Sequence, residues 1–293
     1  MSAVIDVLNK AKRHGQVYFR ANEGNAGDSL LNFGFYSLAK KIGLFYEEIY
    51  DGFDYGAISE NSVLILSGGG NIVPYWEGGS NLLRKIAKYN FPLIMLPQSI
   101  EGRPEVLRLL RKKDVLILRE KFSYEYAVSL GLECKLYIDH DLAFFVDLDF
   151  LYEFKRVFPP QFNLTNVQKM LKVYYQIIRS VFYRELKALR TDHESILGIG
   201  AKKINDISRI AKFGTKGIFE NAYSSISLLN IVSRYKLVET DRLHVFIACM
   251  LAGTKVRLRD NKYYKIKGVY EYSVKTSEPY SHLVDYAQAN HIG

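Results

Sequence analysis

Two short polar segments, one near each end of the chain, carry the residue types best suited to chemistry. Asn25-Ala26-Gly27-Asp28 and Thr240-Asp241-Arg242-Leu243-His244 each precede a run whose apolar residues have helical spacing. Each segment therefore predicts the first turn of a helix, where unpaired backbone N–H groups can bind an anion. A helix dipole disfavours positive charge at that end, so the placement of Arg242 and His244 favours an anionic ligand.

The candidate catalytic residues are His244 and Asp28. Imidazole exchanges protons near neutral pH, so His244 could act as a general acid. Asp28 could accept the proton of an attacking hydroxyl group. Both residues have a structural alternative: aspartate is a common helix cap, and His244 could simply form a hydrogen bond beneath its helix start. The structural alternative for His244 accounts poorly for Arg242 in the same turn.

Other polar residues stand at the ends of apolar runs. The glycines of Ser67-Gly68-Gly69-Gly70-Asn71 let the backbone approach a ligand closely, although a tight turn alone would also explain them. Arg119 could bind a carboxylate or phosphate with two hydrogen bonds, or could pair with Glu120 or Glu125. The candidate substrate-binding residues are Asn25, Gly27, Gly69, Gly70, Asn71, Gln98, Ser99, Arg119 and Arg242.

These residues must be positioned by an α/β fold. Apolar runs at 17–20, 46–50, 63–66, 92–96, 115–118 and 135–138 predict strands, and helical patterns lie near 29–41, 80–89, 104–112 and 122–130. Continuous apolar strands between helices predict a parallel sheet covered on both faces, with ligands beyond the carboxyl ends of the strands. The segments at 25–28, 67–71 and 97–99, and Arg119-Glu120, are each expected directly after a strand.

The later sequence predicts a second, smaller α/β unit. A tyrosine-rich helical stretch at 164–186 follows Pro159-Pro160. Helices are then expected at 224–234 and 242–251 and strands at 237–239 and 256–258, while the aromatic tail at 263–286 is expected to pack back on the body. The predicted domains are residues 1–150, a connection with an inserted helix at 151–190, and residues 191–293.

Composition narrows the class of protein. The chain has 293 residues, 48% of them hydrophobic, and a net charge of +9 without a nucleic-acid recognition motif, so we expect an acidic substrate or an anionic membrane face as partner and no nucleic acid. No apolar run resembles a signal peptide or a membrane span, which predicts a cytoplasmic protein, with peripheral membrane attachment as an open alternative. The two cysteines, Cys134 and Cys249, are expected to be buried thiols.

Asp139-His140-Asp141 resembles a metal site only superficially. Adjacent residues of an extended segment point to opposite faces, so the three side chains cannot easily converge on one ion. We therefore expect no metal there, and Asp141 is expected to shape a turn.

Seven motifs in sequence order resemble the polysaccharide pyruvyl transferase family. The resemblance implies two Rossmann-like domains with the active site in the cleft between them, similar to GT-B glycosyltransferases. It also implies transfer of the enolpyruvyl group of phosphoenolpyruvate to two sugar hydroxyls, and the family's functional positions match Arg119, Arg242 and His244. The motifs are Gly24-Asn25-Ala26-Gly27-Asp28, Gly68-Gly69-Gly70-Asn71, Pro97-Gln98-Ser99-Ile100, Leu118-Arg119-Glu120, Asp141-Leu142-Ala143-Phe144, Arg190-Thr191-Asp192-His193-Glu194 and Thr240-Asp241-Arg242-Leu243-His244.

The family chemistry and the charged residues agree. Phosphoenolpyruvate carries a carboxylate and a phosphate, which suit Arg119 and Arg242, while His244 would protonate its methylene carbon and Asp28 would orient the attacking hydroxyls. No cofactor beyond this donor substrate is expected, and the acceptor sugar could be free or lipid-linked. A nucleotide-sugar glycosyltransferase of the same architecture is the alternative, followed by a non-catalytic carbohydrate-binding protein.

Overall fold

The protein contains two units, each built around a parallel sheet. The computed structural model describes residues 2–156, 158–190, 194 and 206–286. Contacts group Met1–Asn22 with Gly34–Phe145 in the first unit, and Glu23–Phe33 with Val146–Gly293 in the second. The mixed α/β class with parallel sheets is thereby confirmed.

Seven strands and five helices form or enter the first unit. The strands β1 to β7 are Val17–Arg20, Glu47–Ile49, Val63–Leu66, Gly69–Ile72, Leu93–Ile100, Val115–Leu118 and Lys135–Ile138. The helices α1 to α5 are Ala3–Ala11, Ala26–Ile42, Gly78–Ile86, Pro104–Leu107 and Lys121–Ser129. Helix α2 begins in residues grouped with the second unit and ends in the first. Short 3₁₀ turns span Tyr55–Ala57 and Leu142–Phe145.

The strands of the first unit pair in the order β2-β1-β3-β5-β6-β7, and β4 also pairs with β5. Each of these pairings is parallel. All four residues of β3 are buried, as expected for a strand with helices on both faces of its sheet. Phe19 of β1 faces Ile65 of β3 in register, and both side chains are fully buried. The sheet therefore fixes the positions of the residues that directly follow its strands.

The second unit has its own four-stranded parallel sheet, in the order β11-β10-β9-β8. Buried residues of the aromatic tail, including Ile266 and Val269, confirm that it packs back on the body. The strands β8 to β11 are Glu185–Ala188, Leu237–Thr240, Lys255–Leu258 and Val284–Tyr286. The helices α6 to α12 are Leu148–Tyr152, Leu164–Phe182, Ile207–Ile210, Gly217–Val232, Leu243–Leu251, Lys265–Val269 and Glu278–Ser281, and a π-helical turn spans Tyr270–Val274.

Two predicted loops of the first unit are strands. Strand β5 continues to Ile100, so Gln98 and Ser99 lie within it and not after it. The register with β6 shifts between Met95 and Gln98, around Pro97, which has no N–H to donate to the sheet. Gly69 pairs with Gln98 as the first residue of β4, so most of the glycine segment belongs to the sheet.

The prediction of one helix through the tyrosine-rich stretch to residue 186 is wrong at its carboxyl end. Helix α7 stops at Phe182, because Tyr183 adopts an extended conformation. The next residues, Glu185–Ala188, alternate between exposed and buried and form β8. Four residues that alternate between exposed and buried are too few to stand out directly after a long helical pattern. The sequence analysis therefore missed this strand.

Residues 23–33 pack with the second unit, although the sequence placed them in the first domain. Ser29 Oγ donates a hydrogen bond to the carbonyl of Gly214, and Asn32 Nδ2 donates to Asn221 Oδ1 at 3.0 Å. These long-range polar contacts leave no periodic signal in the sequence. The domain boundaries predicted from the sequence stay a prediction.

Candidate functional site

In the first unit, Arg119 lies directly after β6 and is held by two neighbouring strand ends. Its Nε donates to Ser99 Oγ at 2.8 Å, and Nη1 donates to Asp141 Oδ2 at 2.6 Å. Arg119 is 1% exposed and Asp141 is fully buried. The structure therefore contains a buried ion pair in which the guanidinium has a fixed orientation.

Glu120, one of the two residues expected as alternative partners of Arg119, caps helix α5. Glu120 precedes α5 and accepts a hydrogen bond from the backbone N–H of Ser123 at 2.8 Å. Burial raises the pKa of the Glu120 carboxyl, and its hydrogen bonds with Ser123 oppose that rise. Asp141 Oδ1 also accepts from the backbone N–H of Ala143 at 2.9 Å, so it shapes the turn as expected. Substrate binding by Arg119 stays a prediction.

The glycine segment after β3 is tied to the end of β1 by Asn22, which sequence reasoning missed. Asn22 Nδ2 donates to the carbonyl of Gly68 at 2.6 Å, and Asn71 Nδ2 donates to Asn22 Oδ1 at 2.9 Å. Gly69 has a φ of +138°, and a Cβ there would lie 2.7 Å from Asn22 Nδ2. A side chain at Gly69 would therefore be strained by this backbone conformation and would displace the Asn22 amide.

Gln98 lies beneath this segment. It is 4% exposed, and its Nε2 donates to the carbonyl of Ser67 at 2.8 Å. Gln98 and Ser99 thus stabilise neighbouring strand ends in the first unit, and Ser99 does so through Arg119. Gly70 and Asn71 are only partly buried, and ligand binding by these four residues remains a prediction.

In the second unit, Asn25 and Asp28 close the first turn of α2 reciprocally. Asn25 Oδ1 accepts from the backbone N–H of Gly27 at 2.8 Å, and the backbone N–H of Asn25 donates to Asp28 Oδ2 at 2.7 Å. This is a variant of the capping box in which the Asn25 side chain accepts from the second N–H of the helix and not the third. A Cβ at Gly24 would lie 1.9 Å from Asp28 Oδ2, so Gly24 makes room for the carboxylate. The structural role of Asp28 is present, and its catalytic role stays a prediction.

His244 lies against this same turn. It is the second residue of α10, and a Cβ built on Gly27 would lie 2.5 Å from His244 Cβ and 2.9 Å from its Nδ1. The two polar segments from opposite ends of the chain therefore meet within the second unit. The imidazole, the amide of Asn25 and the carboxylate of Asp28 border one helix turn, of which Gly27 is the point of closest approach.

Arg242 precedes α10 and pairs with Asp206, a partner the sequence did not reveal. Its Nη2 donates to Asp206 Oδ2, and both side chains are largely buried. Its backbone N–H donates to Thr240 Oγ1 at 3.1 Å, and that hydroxyl donates to the carbonyl of Ala188 at 2.7 Å. Arg242 is thus anchored beside His244, on the turn that follows β9.

The acidic residue of this motif also has a partner. Asp241 Oδ1 accepts from the backbone N–H of Arg190 at 2.7 Å. Burial raises the pKa of Asp241, and the hydrogen bond from Arg190 opposes the rise. Arg190 Nη1 in turn donates to Glu194 Oε2 at 2.5 Å, and Lys265 donates to the same oxygen. The motif 190–194 is therefore structural at both ends, while its residues 191–193 lie outside the described part of the chain.

The two carboxylates of Asp139-His140-Asp141 accept hydrogen bonds from other parts of the first unit. Asp139 Oδ2 accepts from Ser2 Oγ at 2.6 Å and from the backbone N–H of Val4 at 2.8 Å, and Asp141 pairs with Arg119. Among the residues that the structure describes, no group of three or more histidine, cysteine or acidic side chains could hold a metal ion. No helix within the same described residues is long and apolar enough to cross a membrane.

The two parallel sheets place the protein in the mixed α/β class. Comparison with known proteins narrows this class. The chain belongs to the polysaccharide pyruvyl transferase family, whose family model matches residues 14–263. The family indicates a pyruvyl transferase of polysaccharide biosynthesis, and it confirms the resemblance seen in the sequence motifs.

A solved structure supports the whole-chain likeness. The crystal structure of an uncharacterized protein from Klebsiella pneumoniae subsp. pneumoniae NTUH-K2044 is similar, with a TM-score of 0.76 and 26% sequence identity. The match covers 98% of this chain and 97% of that chain. No curated protein matches this chain.

Proposed function

We propose that the protein transfers the pyruvyl group of phosphoenolpyruvate to two hydroxyls of one acceptor sugar, forming a cyclic ketal and releasing phosphate. One sugar hydroxyl adds to the central carbon of the donor as its methylene carbon gains a proton. The second hydroxyl then displaces phosphate from the same carbon. Of the two hydroxyl protons, one balances the new methyl group and the other leaves with phosphate. The reaction needs a proton donor, a group that orients hydroxyls and cations for the donor.

The observation that carries the proposal is the contact between the two polar segments in the second unit. His244 packs against Gly27, and Asp28 closes the same turn of α2 through the N–H of Asn25. An acid and a base at one turn match the two proton transfers of ketal formation. The family supplies the class of reaction, and this contact supports the assignment of residues.

Each residue then has a specific role. His244 protonates the methylene carbon of the donor. Asp28 keeps one oxygen on the N–H of Asn25, and carboxylate oxygens have further acceptor sites with which to orient a hydroxyl. Arg242, which Asp206 holds in place, is proposed to attract the anionic substrate through its positive charge.

The candidate binding residues of the first unit remain part of this proposal. Arg119, Gln98, Ser99 and the residues Gly69 to Asn71 are proposed to serve anion or sugar binding in that unit. Arg119 is buried and paired with Asp141, so it acts through its fixed positive charge and through the strand ends that it orders. Two Rossmann-like domains similar to GT-B glycosyltransferases, a cytoplasmic location and a lipid-linked acceptor are also parts of the proposal.

Donor consumption tests this function against a glycosyltransferase. The full chain is incubated with phosphoenolpyruvate and candidate polysaccharide or lipid-linked acceptors, and phosphate release is followed together with the mass of the acceptor. The proposal expects acceptor-dependent phosphate release and a mass gain of one pyruvyl ketal. A matched incubation with nucleotide sugars provides the control. Sugar transfer from a nucleotide sugar, without use of phosphoenolpyruvate, would establish the alternative.

A further inference from the structure

The buried side of helix α7, Leu164–Phe182, carries two amide side chains and one apolar side chain. Asn166, Val173 and Gln176 are its buried residues. The backbone carbonyl of Gln176 accepts a hydrogen bond from the hydroxyl of Tyr235 at 2.7 Å. Asn166 Nδ2 donates to the carbonyl of Gln161 at 2.9 Å, and Asn163 caps the first turn. These bonds fix the rotation of α7 about its axis and determine which face is exposed.

The exposed face of α7 is apolar. Leu171 and Ile178 are 60% exposed and Phe182 is 76% exposed, and their separations of seven and four residues place them on one side of a helix. We define the α7 stripe as Leu164, Leu171, Tyr174, Tyr175, Ile178, Val181 and Phe182, all exposed. Phe158 and Phe162, whose rings are 6.0 Å apart, are exposed just before the helix.

Exposed apolar surfaces of this extent usually mark a protein or membrane contact. Charge distinguishes between these partners. Residues 155–184 contain six Lys or Arg residues and no Asp or Glu. Lys172 is exposed, and the Arg179 guanidinium lies 5.1 Å from the centre of the Tyr183 ring at the end of the helix. A second copy of the chain laid stripe to stripe would bring like charges together, whereas an anionic surface would attract them.

We propose that the α7 stripe lies on the surface of a membrane that contains anionic lipids. Its apolar residues would enter the boundary between headgroups and acyl chains, and the basic residues of 155–184 would contact lipid phosphates. This combination of an apolar face and cationic flanks is typical of helices that lie in the plane of the membrane. The tyrosines of the stripe suit the interface, where one end of the ring is apolar and the other polar. The proposal does not depend on the reaction proposed above.

Vesicle sedimentation with the full chain tests the proposal. One set of vesicles contains equal parts of phosphatidylglycerol and phosphatidylcholine, and the other contains phosphatidylcholine alone. We expect binding to the anionic vesicles that weakens as salt is added, and much weaker binding to the neutral ones. The double variant Leu171→Ser/Ile178→Ser should lose about tenfold or more in partition, because two side chains that enter the membrane are removed.

A matched control separates this effect from general loss of exposed apolar surface. Val128 is 53% exposed on helix α5, so Val128→Ser removes an exposed apolar side chain that is not part of the stripe and should leave binding unchanged. The charge variant Lys172→Gln/Arg179→Gln should bind anionic vesicles more weakly, and its binding should depend less on salt concentration. Thermal unfolding of each variant confirms that it is folded.

Two results would overturn the proposal. One is equal vesicle binding by the native protein and the folded double variant. The other is a stable dimer without vesicles that Ile178→Ser converts to monomers, since the stripe would then be covered by a second copy of the chain.

Discussion

Replacing Gly27 with alanine tests whether the close approach of His244 to α2 matters. Within a helix, alanine is normally preferred to glycine by about 1 kcal/mol, so the substitution would stabilise α2 if space allowed. The structure leaves no such space, because the added Cβ would lie 2.5 Å from His244 Cβ and 3.0 Å from Asn25 Oδ1. Since His244 Cβ is attached directly to the backbone of α10, rotation of the imidazole cannot relieve the contact.

The size of the effect follows from this distance. Ordinary contacts of a Cβ begin at 3.4 Å, so the shortfall is 3.4 − 2.5 = 0.9 Å. Overpacking of this kind costs about 1–3 kcal/mol, which the helix preference for alanine offsets in part. A displacement of roughly 1 Å in a catalytic group can lower the rate by about 10²-fold. We therefore expect a large loss of kcat with a modest loss of stability.

Gly78→Ala provides the control, because a Cβ at this first residue of α3 meets nothing within 4 Å. Acceptor-dependent phosphate release gives kcat, and thermal unfolding gives stability for both variants. We expect Gly78→Ala to match the native rate and Gly27→Ala to fall far below it. A native rate in folded Gly27→Ala would refute the reasoning, because the position of His244 against α2 would then be irrelevant to turnover.

Three further predictions concern Asp28, the buried ion pair and the cysteines. Asp28→Glu keeps a residue suited to the capping box but moves the carboxylate, so kcat should fall by about tenfold or more with little change in melting temperature; a lower melting temperature with native kinetics would leave Asp28 only its capping role. Arg119→Ala removes the guanidinium that pairs with the buried Asp141 carboxylate and should cost about 3–5 kcal/mol in urea unfolding, whereas a cost below about 1 kcal/mol would contradict the pairing. Burial raises the pKa of Cys134 to about 11 and raises that of Cys249, so the folded protein should resist iodoacetamide at pH 8 and label at both thiols once unfolded; rapid labelling of the folded form would disprove this.

Much of the first sheet could be predicted because its strands are continuous apolar runs. Val17–Arg20, Val63–Leu66, Val115–Leu118 and Lys135–Ile138 form strands with the predicted bounds. Strand β4 was missed because glycine is rare in strands, and its pairing with β5 depends on neighbours distant in sequence. Strand β11 carries no apolar run of its own, and in the structure it pairs with β10.

The candidate site could be predicted as a set of residues but not as a set of contacts. Family motifs marked Arg119, Arg242 and His244, and the dipole argument independently marked the last two. The pairing of Arg119 with Asp141 and of Arg242 with Asp206 could not be predicted. The partners of a buried ion pair are not separated by any regular spacing in the sequence. The placement of His244 against Gly27 likewise depends on the packing of α10 against α2.

Deuterium incorporation tests the central claim most directly. In deuterated water, His244 would carry a solvent deuteron to the methylene carbon of phosphoenolpyruvate, and mass spectrometry of the ketal product would show one deuterium in its methyl group. His244→Ala should bind phosphoenolpyruvate through the arginines and yet lower kcat by at least about 10²-fold, the scale expected for loss of a general acid. A folded His244→Ala variant that forms the singly deuterated ketal at the native rate would contradict the account.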